Sequence, residues 1–398
     1  MSDDPAAGKD VPIDLHTTLA MLETDPGAVY QRLRRETSIV RLKAIGRIVF
    51  TKAEDVYRVK ADIEHFGSFD TTSPMQRAFG GHTLMRKDGC EHMRERRAMV
   101  GAFEPSLLHN HWQTEFDALT ETLLDELAQL TTVDLFPALA VPLSAGYLKL
   151  VLGIEQATDA QLFRWAQALI RGAMNAGLDP EIFQESDQAN SEMNECLDQM
   201  IERHLRNPNC SVLSVMVNQP DPIPLSQIRT NMKICIGGAV VETRDAVLST
   251  LYGLLSNPEQ LRYSIDQNAW DRVCEEGLRW MAPIQASPRI VKKSLVMRGV
   301  NIPKGETVMA IQASANHDED IWDQPHLFNP QREPHGNQAF GDGSHQCLGG
   351  NIYRLLVSKA VLPKLFERFP ALSLVNQKAV KFTGFAFRGP TSLPVNLR

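Results

Sequence analysis

The chain has 398 residues, 43% of them hydrophobic and 22% charged, which is the balance of an ordinary globular protein and excludes a disordered or fibrous one. A formal charge of -7 leaves no global attraction to nucleic acid or to an anionic membrane surface. Six cysteines, at 90, 196, 210, 235, 274 and 347, show no paired spacing and no CxxC. That argues against a disulfide framework or a zinc site and fits a reducing, cytoplasmic setting.

In chain order, the opening "MSDDPAAGKDVP" is polar and acidic and lacks the basic-then-apolar order of a secretory signal. Residues 1–15 are expected to be a loose tail on one single domain. "IVRLKAIGRIVFT" at 39–51 predicts a hairpin around Gly46. "EHMRER" sets His92 and Arg96 at i and i+4 of a helix, and "RERR" at 94–97 is a basic cluster that reads equally well as a solvated helix face. The most apolar stretch, 135–154, is interrupted by Pro137, Pro142 and Lys149, so it cannot supply the about twenty apolar residues that a membrane span needs.

Further on, Met193, Leu197, Ile201 and Leu205 recur every four residues and predict one apolar stripe on a helix that "NPN" ends. A second long helix is expected from about 228 to 255, stopped by Asn257-Pro258. "EEGLRW" holds Glu276 and Arg279 one helical turn apart, where carboxylate and guanidinium can pair bidentately. "SLVMRGVNIPKGETVMAI" at 294–311 reads as another hairpin, with turns at Arg298-Gly299 and Pro303-Lys304-Gly305, and a third β piece lies near the C-terminus. The sum is a mainly α, α+β layout: long helices with small peripheral antiparallel sheets, not alternating βαβ units.

The segment "FGDGSHQCLGG" at 340–350 crowds four glycines, a histidine and a cysteine into eleven residues. A loop of backbone amides leading into a helix N-terminus lowers a thiol pKa and makes a thiolate ligand of Cys347. Gly341, Gly343 and Gly349 let the backbone approach a flat cofactor, and "NIYRLLVSKAVLPKLFERF" is a plausible following helix.

Phe340, Gly343, His345, Cys347 and Gly349 match FxxGxHxCxG, and the segment resembles the cysteine loop of the haem-thiolate monooxygenases called cytochrome P450. Glu276 and Arg279 then match that family's ExxR pair, and Pro325, Phe328, Pro330 and Arg332 its PxxFxPxR; the resemblance implies that Glu276, Arg279 and Arg332 hold the fold rather than perform chemistry. It also implies haem b, ligated by Cys347, with His92, Arg96, Arg289 and His345 as partners of the propionates. Dioxygen would be the co-substrate. No flavin, ferredoxin or nicotinamide motif is visible, so electrons from NAD(P)H are expected through a separate iron–sulfur or flavin partner, with Arg94 and Arg97 as a landing site.

One helix departs from the family pattern. Where an acid followed by threonine usually delivers protons to dioxygen, this chain has "CIGGAVVETRDAVLSTLYGLLSNP". Matching letters aligns Glu242-Thr243 with the acid and threonine. Counting back from the helix end instead puts Glu242, sixteen residues before Pro258, at the threonine position. That second register sets Gly238 and Ala239 where the helix must open beside dioxygen, and Val241 where the acid would be. One residue rotates a side chain by about 100°, so only one of Glu242 and Thr243 can face the haem. A desolvated Glu242 would have a raised pKa and act as a general acid, or, ionised, would accept a proton from hydrogen peroxide. The simpler role for it is pairing with Arg244 or the backbone.

"FTGFAFRGPTSLPV", "EGLRW", "SANHD" and this glutamate look like the bacterial branch that O-demethylates small methoxyarenes such as guaiacol. By that resemblance Val241, Ile284, Ser287 and Phe387 line the space over the haem, and Phe66 or Phe69 closes it, unless these two are ordinary core aromatics. The rival expectations are a peroxide-driven peroxygenase or hydroxylase of another small hydrophobic compound, and a haem-thiolate gas sensor or carrier without catalysis.

Overall fold

The computed structural model describes residues 8–70, 73–333 and 335–398, which form two compact units. Of the described residues, the first comprises 8–70, 275–333, 335–347 and 381–391, and the second 73–274, 348–380 and 392–398.

The first unit is built on a six-stranded sheet in the order Ile13–Asp14, Ile39–Leu42, Arg47–Phe50, Thr307–Ala310, Ser287–Val291, Phe66–Gly67. Side chains alternate across it. Ile39, Ile48, Phe50, Val308 and Ala310 face one core, shared with Val56 and Val59 of the helix Ala53–Ala61. Val40, Leu42 and Val49 face the other, shared with Leu22, Val29, Tyr30 and Leu33. The hairpin at 39–51 forms as expected, with antiparallel pairing from Ile39–Phe50 to Leu42–Arg47 and Gly46 at φ +65°.

Two expectations need correction in this unit. The loose tail expected over 1–15 lies outside the described residues up to position 7. Beyond that it is ordered: Lys9 bonds the backbone of Gly299 and Asn301, and Ile13–Asp14 pairs in parallel with Arg41–Leu42. Asp14 is buried, and the Arg32 guanidinium and Thr17 hydroxyl hold its carboxyl well below the usual range against the opposing effect of burial. The stretch 294–311 is also not one folded-back ribbon. Leu295–Met297 and Val300–Ile302 form a two-stranded hairpin across Arg298-Gly299, both left-handed, but the turn at 303–305 then hands Thr307–Ala310 to the six-stranded sheet. Two-residue turns with positive φ match the right-handed strand twist, which is why only the first turn makes a tight hairpin.

The second unit is helical, with Gln113–Leu127, Asp159–Ala173, Pro180–Arg206 and Leu225–Leu255 as its longest members. A small sheet joins Ser373–Leu374, Pro394–Asn396 and Thr132–Asp134. On Pro180–Arg206, Met193, Leu197 and Ile201 are buried as expected, but Leu205 is 55% exposed and His204 takes its place. Steps of four advance by about 40° beyond a full turn, so after three steps the side chain has left the apolar face. Among the described residues no helix is long and apolar enough to cross a membrane.

Candidate active site

In the first unit the cysteine loop is closed by its own backbone. Cys347 N–H donates to the Phe340 carbonyl at 2.9 Å, Gln346 N–H to Gly343 at 3.1 Å and Gly341 N–H to Gln338 at 3.0 Å. Gly341 and Gly343 are left-handed, and a Cβ on Gly343 would stand 3.1 Å from the Lys60 carbonyl, so the loop needs glycine there both for φ and for room. The outcome is an exposed Cys347 thiol. His345 is positioned by Ser68, whose buried hydroxyl lies 3.0 Å from its Nε2. Ser68 was invisible to sequence reasoning, because a serine beside a two-residue strand carries no signal of its own.

Arg289 lies on the strand Ser287–Val291, opposite Val308, half-buried, and one guanidinium nitrogen donates to the Pro288 carbonyl at 2.9 Å. Ile284 and Phe387 meet as an antiparallel bridge, flanked by Gln285 N–H to Ala386 O and Arg388 N–H to Pro283 O. The bend that presents Phe387 requires Gly384, at φ +105°, since a Cβ there would collide with the Phe387 carbonyl. Ser287 bonds through its hydroxyl to the Gln312 amide oxygen, and the Gln312 nitrogen donates to Ile284 O at 3.2 Å. The structure therefore brings Ile284, Ser287 and Phe387 together. Phe66 is different: it is 2% exposed and packs edge-on to Phe50 in the sheet core, so it is a core aromatic rather than a pocket wall. Phe69 is 48% exposed. A cavity of about 740 Å³ in this unit, lined by residues including Tyr30, Arg34, Trp280 and Arg388, shares Arg279 and Pro325 with the residues singled out in the sequence.

Glu276 and Arg279 form a bidentate pair, both contacts 2.7 Å, with Arg279 1% exposed. The remaining guanidinium hydrogens go to the carbonyls of Asn316, Pro325 and Leu327 at 2.9–3.0 Å, and Trp322 lies under the plane at 5.4 Å. Arg332 joins through Glu276 at 3.3 Å and bonds the carbonyls of Asp323, Gln324 and Leu327. Asn329 N–H completes the Glu276 carboxylate at 2.7 Å. Every guanidinium proton of the buried pair is used and both carboxylate oxygens accept, the condition under which a buried ion pair is tolerated.

In the second unit Leu225–Leu255 is a continuous 31-residue helix. The local opening expected at Gly238-Ala239 is absent, because the helical hydrogen bonds run through both residues. The helix has one half-exposed face, formed by Ile234, Cys235, Gly238, Ala239, Val241 and Glu242, a set recurring at three- and four-residue spacing. Thr243 is off that face and 5% exposed.

Glu242 folds back along the helix so that Oε1 would stand 3.0 Å from a Cβ on Gly238; the glycine makes room for the carboxylate. Arg244 does not pair with Glu242. It pairs with Asp245 at 2.7 Å and stacks over Phe136 at 4.6 Å. Burial, reinforced by the Asp245 carboxylate, pushes the Glu242 carboxyl up to about 7. Burial likewise raises Asp245, against the pull of Arg244.

His92 is buried and Arg96 half-buried on the helix Gly89–Val100. Between them Glu95 accepts from Lys87 at 2.5 Å, Asn231 at 2.8 Å and Gln227 at 3.1 Å, which ties this helix to the start of the long one. Glu95 and Asn231 carried no motif. Arg94 and Arg97 are exposed, and Arg94 contacts Asp221 at 3.2 Å. Gly349 caps the helix Gly350–Leu355, which continues as helical turns to Arg368.

Comparison with known proteins agrees with this architecture. The family model described as Cytochrome P450 matches residues 269–385. The 6-deoxyerythronolide B hydroxylase of Saccharopolyspora erythraea is 27% identical over 323 residues, 79% of this chain and 76% of that protein. The steroid C26-monooxygenase of Mycolicibacterium smegmatis is 24% identical over 96% of both chains. Among solved structures, P450BioI in complex with an acyl carrier protein ligated to hexadec-9Z-enoic acid superposes with a TM-score of 0.86 at 22% identity, covering 94% of this chain and 99% of that one. A mainly helical fold with small sheets, the glycine-bounded loop that presents Cys347 and similarity along most of the chain converge on one conclusion: this protein has the cytochrome P450 fold and is similar in sequence to cytochrome P450 monooxygenases.

Proposed function

We propose that this protein is a cytochrome P450 monooxygenase that O-demethylates a small methoxyarene of the guaiacol type, acting as one haem domain in the cytoplasm with a separate iron–sulfur or flavin reductase. The observation that carries the reading is the Ile284–Phe387 bridge beside Ser287. It gathers an aliphatic and an aromatic side chain, and the hydroxyl among them is already committed to Gln312. Such a surface suits a small apolar ring.

The donor set fits haem. Cys347 stands exposed at the mouth of an amide-lined loop and could ligate a single metal, and by the resemblance Arg289, His345, His92 and Arg96 would be the partners of the propionates. Haem, when bound through a thiolate, supplies dioxygen activation, and thiolate donation is known to favour O–O cleavage. The chain's own contribution is protic and steric. Glu242, with its carboxyl near 7, is partly protonated at neutral pH and would serve as a proton donor, the electrons coming from the reductase and the second proton from solvent. Gly238 keeps that carboxyl folded along the helix. Hydroxylation of the aryl methyl group gives a hemiacetal that collapses to a phenol and formaldehyde, while the second oxygen atom leaves as water.

Glu242 also supports a second reading. In its ionised form it can take a proton from hydrogen peroxide, which would run the reaction without a reductase. The test is to titrate the ferric protein with guaiacol, other methoxyarenes and aliphatic controls, and to assay formaldehyde with NADH and a reductase or with peroxide alone. A blue-shifted Soret band with the aryl ethers and formaldehyde equal to the phenol formed is the expected result. A shift with the aliphatics only would remove the demethylase assignment, and product from peroxide alone would favour the second reading.

A further inference from the structure

The cavity of about 740 Å³ in the first unit takes no part in the chemistry described above, yet it has the size of a pocket for a small organic ligand. Tyr30, Trp280, Met281, Ala282 and Trp322 give it an apolar, largely aromatic wall. Three buried guanidiniums, those of Arg34, Arg279 and Arg388, also stand on its lining, whereas its acids, Asp25, Glu319 and Asp323, are exposed or half-buried.

The buried charges do not balance. Arg279 is matched by Glu276 at 2.7 Å and Arg34 by Glu319 at 2.9 Å. Arg388, 6% exposed, has no carboxylate partner among the described residues. Its Nη1 donates to the carbonyls of Glu23 at 2.7 Å and Gly384 at 3.2 Å, and its Nη2 to that of Thr24 at 2.7 Å, which leaves Nε and one Nη2 proton unused. Burying one unmatched cation is unfavourable and calls for one negative charge. Two acceptors share the lining. Gln285, 3% exposed, commits its amide nitrogen to the Ala282 carbonyl and leaves Oε1 without a donor. His317 gives its Nδ1 proton to the Ala313 carbonyl at 3.0 Å, so Nε2 carries a lone pair, and burial together with Arg279 keeps the ring neutral. The Tyr30 hydroxyl is sealed off from the cavity; these groups are not.

The position gives the cavity a bearing on the substrate surface. Ile284 and Phe387 oppose each other across their bridge, and side chains alternate along extended backbone, so Gln285 and Arg388 face the other way. One face of the bridge is the proposed substrate wall and the other is the cavity wall.

We propose that this cavity is a second ligand site, which takes a small aromatic monocarboxylate: the carboxylate on Arg388, the ring against Trp280 and Trp322, and a hydroxyl proton on Gln285 or His317. Binding there is independent of the demethylase reading; its effect on the substrate rests on that reading, through the shared bridge. Ligands on the two faces of one bridge bias the same backbone, and such a coupling is reciprocal.

The experiment titrates the haem-loaded protein and its Arg388→Gln and Ala28→Trp variants by calorimetry with 4-hydroxybenzoate and with the neutral 4-hydroxybenzamide, with and without saturating guaiacol. Ala28 is an exposed residue of the lining, so tryptophan there narrows the cavity without disturbing its buried groups and keeps the test decisive if Arg388→Gln fails to fold. The acid is expected to bind with guaiacol present, the amide about tenfold more weakly, and each variant to lose about tenfold in affinity for the acid. The guaiacol midpoint, read from the Soret band, should shift with the acid by the same factor as the acid's affinity shifts with guaiacol. No binding of the acid, binding that guaiacol displaces outright, equal affinity for the amide, or binding that neither variant weakens would overturn the site. Acid binding that the variants lose while guaiacol leaves the Soret band unmoved would keep the site and overturn the demethylase reading alone.

Discussion

Glu242→Gln is expected to slow substrate oxidation by roughly a hundredfold, the ordinary contribution of a positioned general acid, with haem content unchanged. Glutamine keeps the shape beside Gly238 and removes only the proton. The pH dependence gives the sharper signature. The carboxyl titrates near 7, so the wild-type rate should fall as pH rises through that value and the donor empties; the variant should be flat there. Stability runs in the same sense. Because the folded pKa is raised from 4.5, the neutral form's contribution is complete below about 4.5 and is lost as pH rises through about 7. The glutamine variant should therefore be the more stable protein above neutrality, by up to about 3 kcal/mol. Gly238→Ala acts from the other side, since its Cβ would displace the carboxylate, and should reduce turnover without removing the acid. Stopped-flow turnover and thermal melts across pH measure both effects. A variant with wild-type turnover and pH profile would show that Glu242 is a spectator.

Arg279→Ala should cost about 3–5 kcal/mol, enough to abolish most of the stability of a typical domain. The substitution leaves the Glu276 carboxylate buried beside Asn329 and Arg332 alone and strands the carbonyls of Asn316, Pro325 and Leu327. Lysine should not rescue it, because a point charge cannot satisfy a carboxylate bidentately and three carbonyls at once. Denaturant melts, or the yield of soluble protein, report the loss. A variant that melts within about 1 kcal/mol of wild type would mean that water replaces the guanidinium.

The residues legible in the sequence are those whose chemistry is local. The loop from Phe340 to Gly349 announces itself because left-handed φ demands glycine at fixed offsets from one thiol. Glu276 and Arg279 are legible because one helical turn suffices to pair them. The first hairpin and the Arg298-Gly299 turn follow from two-residue periodicity and positive φ. What escaped depends on distant packing. Ser68 reaches His345 across 277 positions of sequence and Glu95 reaches Asn231 across 136, and neither leaves a periodic trace. Phe66 and Phe69 look alike in sequence, and only the sheet edge decides that one is core and the other exposed. The register of Glu242 against Thr243 was ambiguous by counting and is a matter of helix face, which the burial of Thr243 separates.

The claim on which the rest depends is that Cys347 is the iron ligand. The direct measurement is the absorption spectrum of the reduced, carbon monoxide-bound protein beside that of Cys347→Ser. A thiolate opposite carbon monoxide shifts the Soret band strongly to the red. The wild-type protein is predicted to show that band and the serine variant to lose it while retaining a folded far-ultraviolet spectrum. A red-shifted band that survives in Cys347→Ser would contradict the assignment and move the ligand elsewhere in the chain.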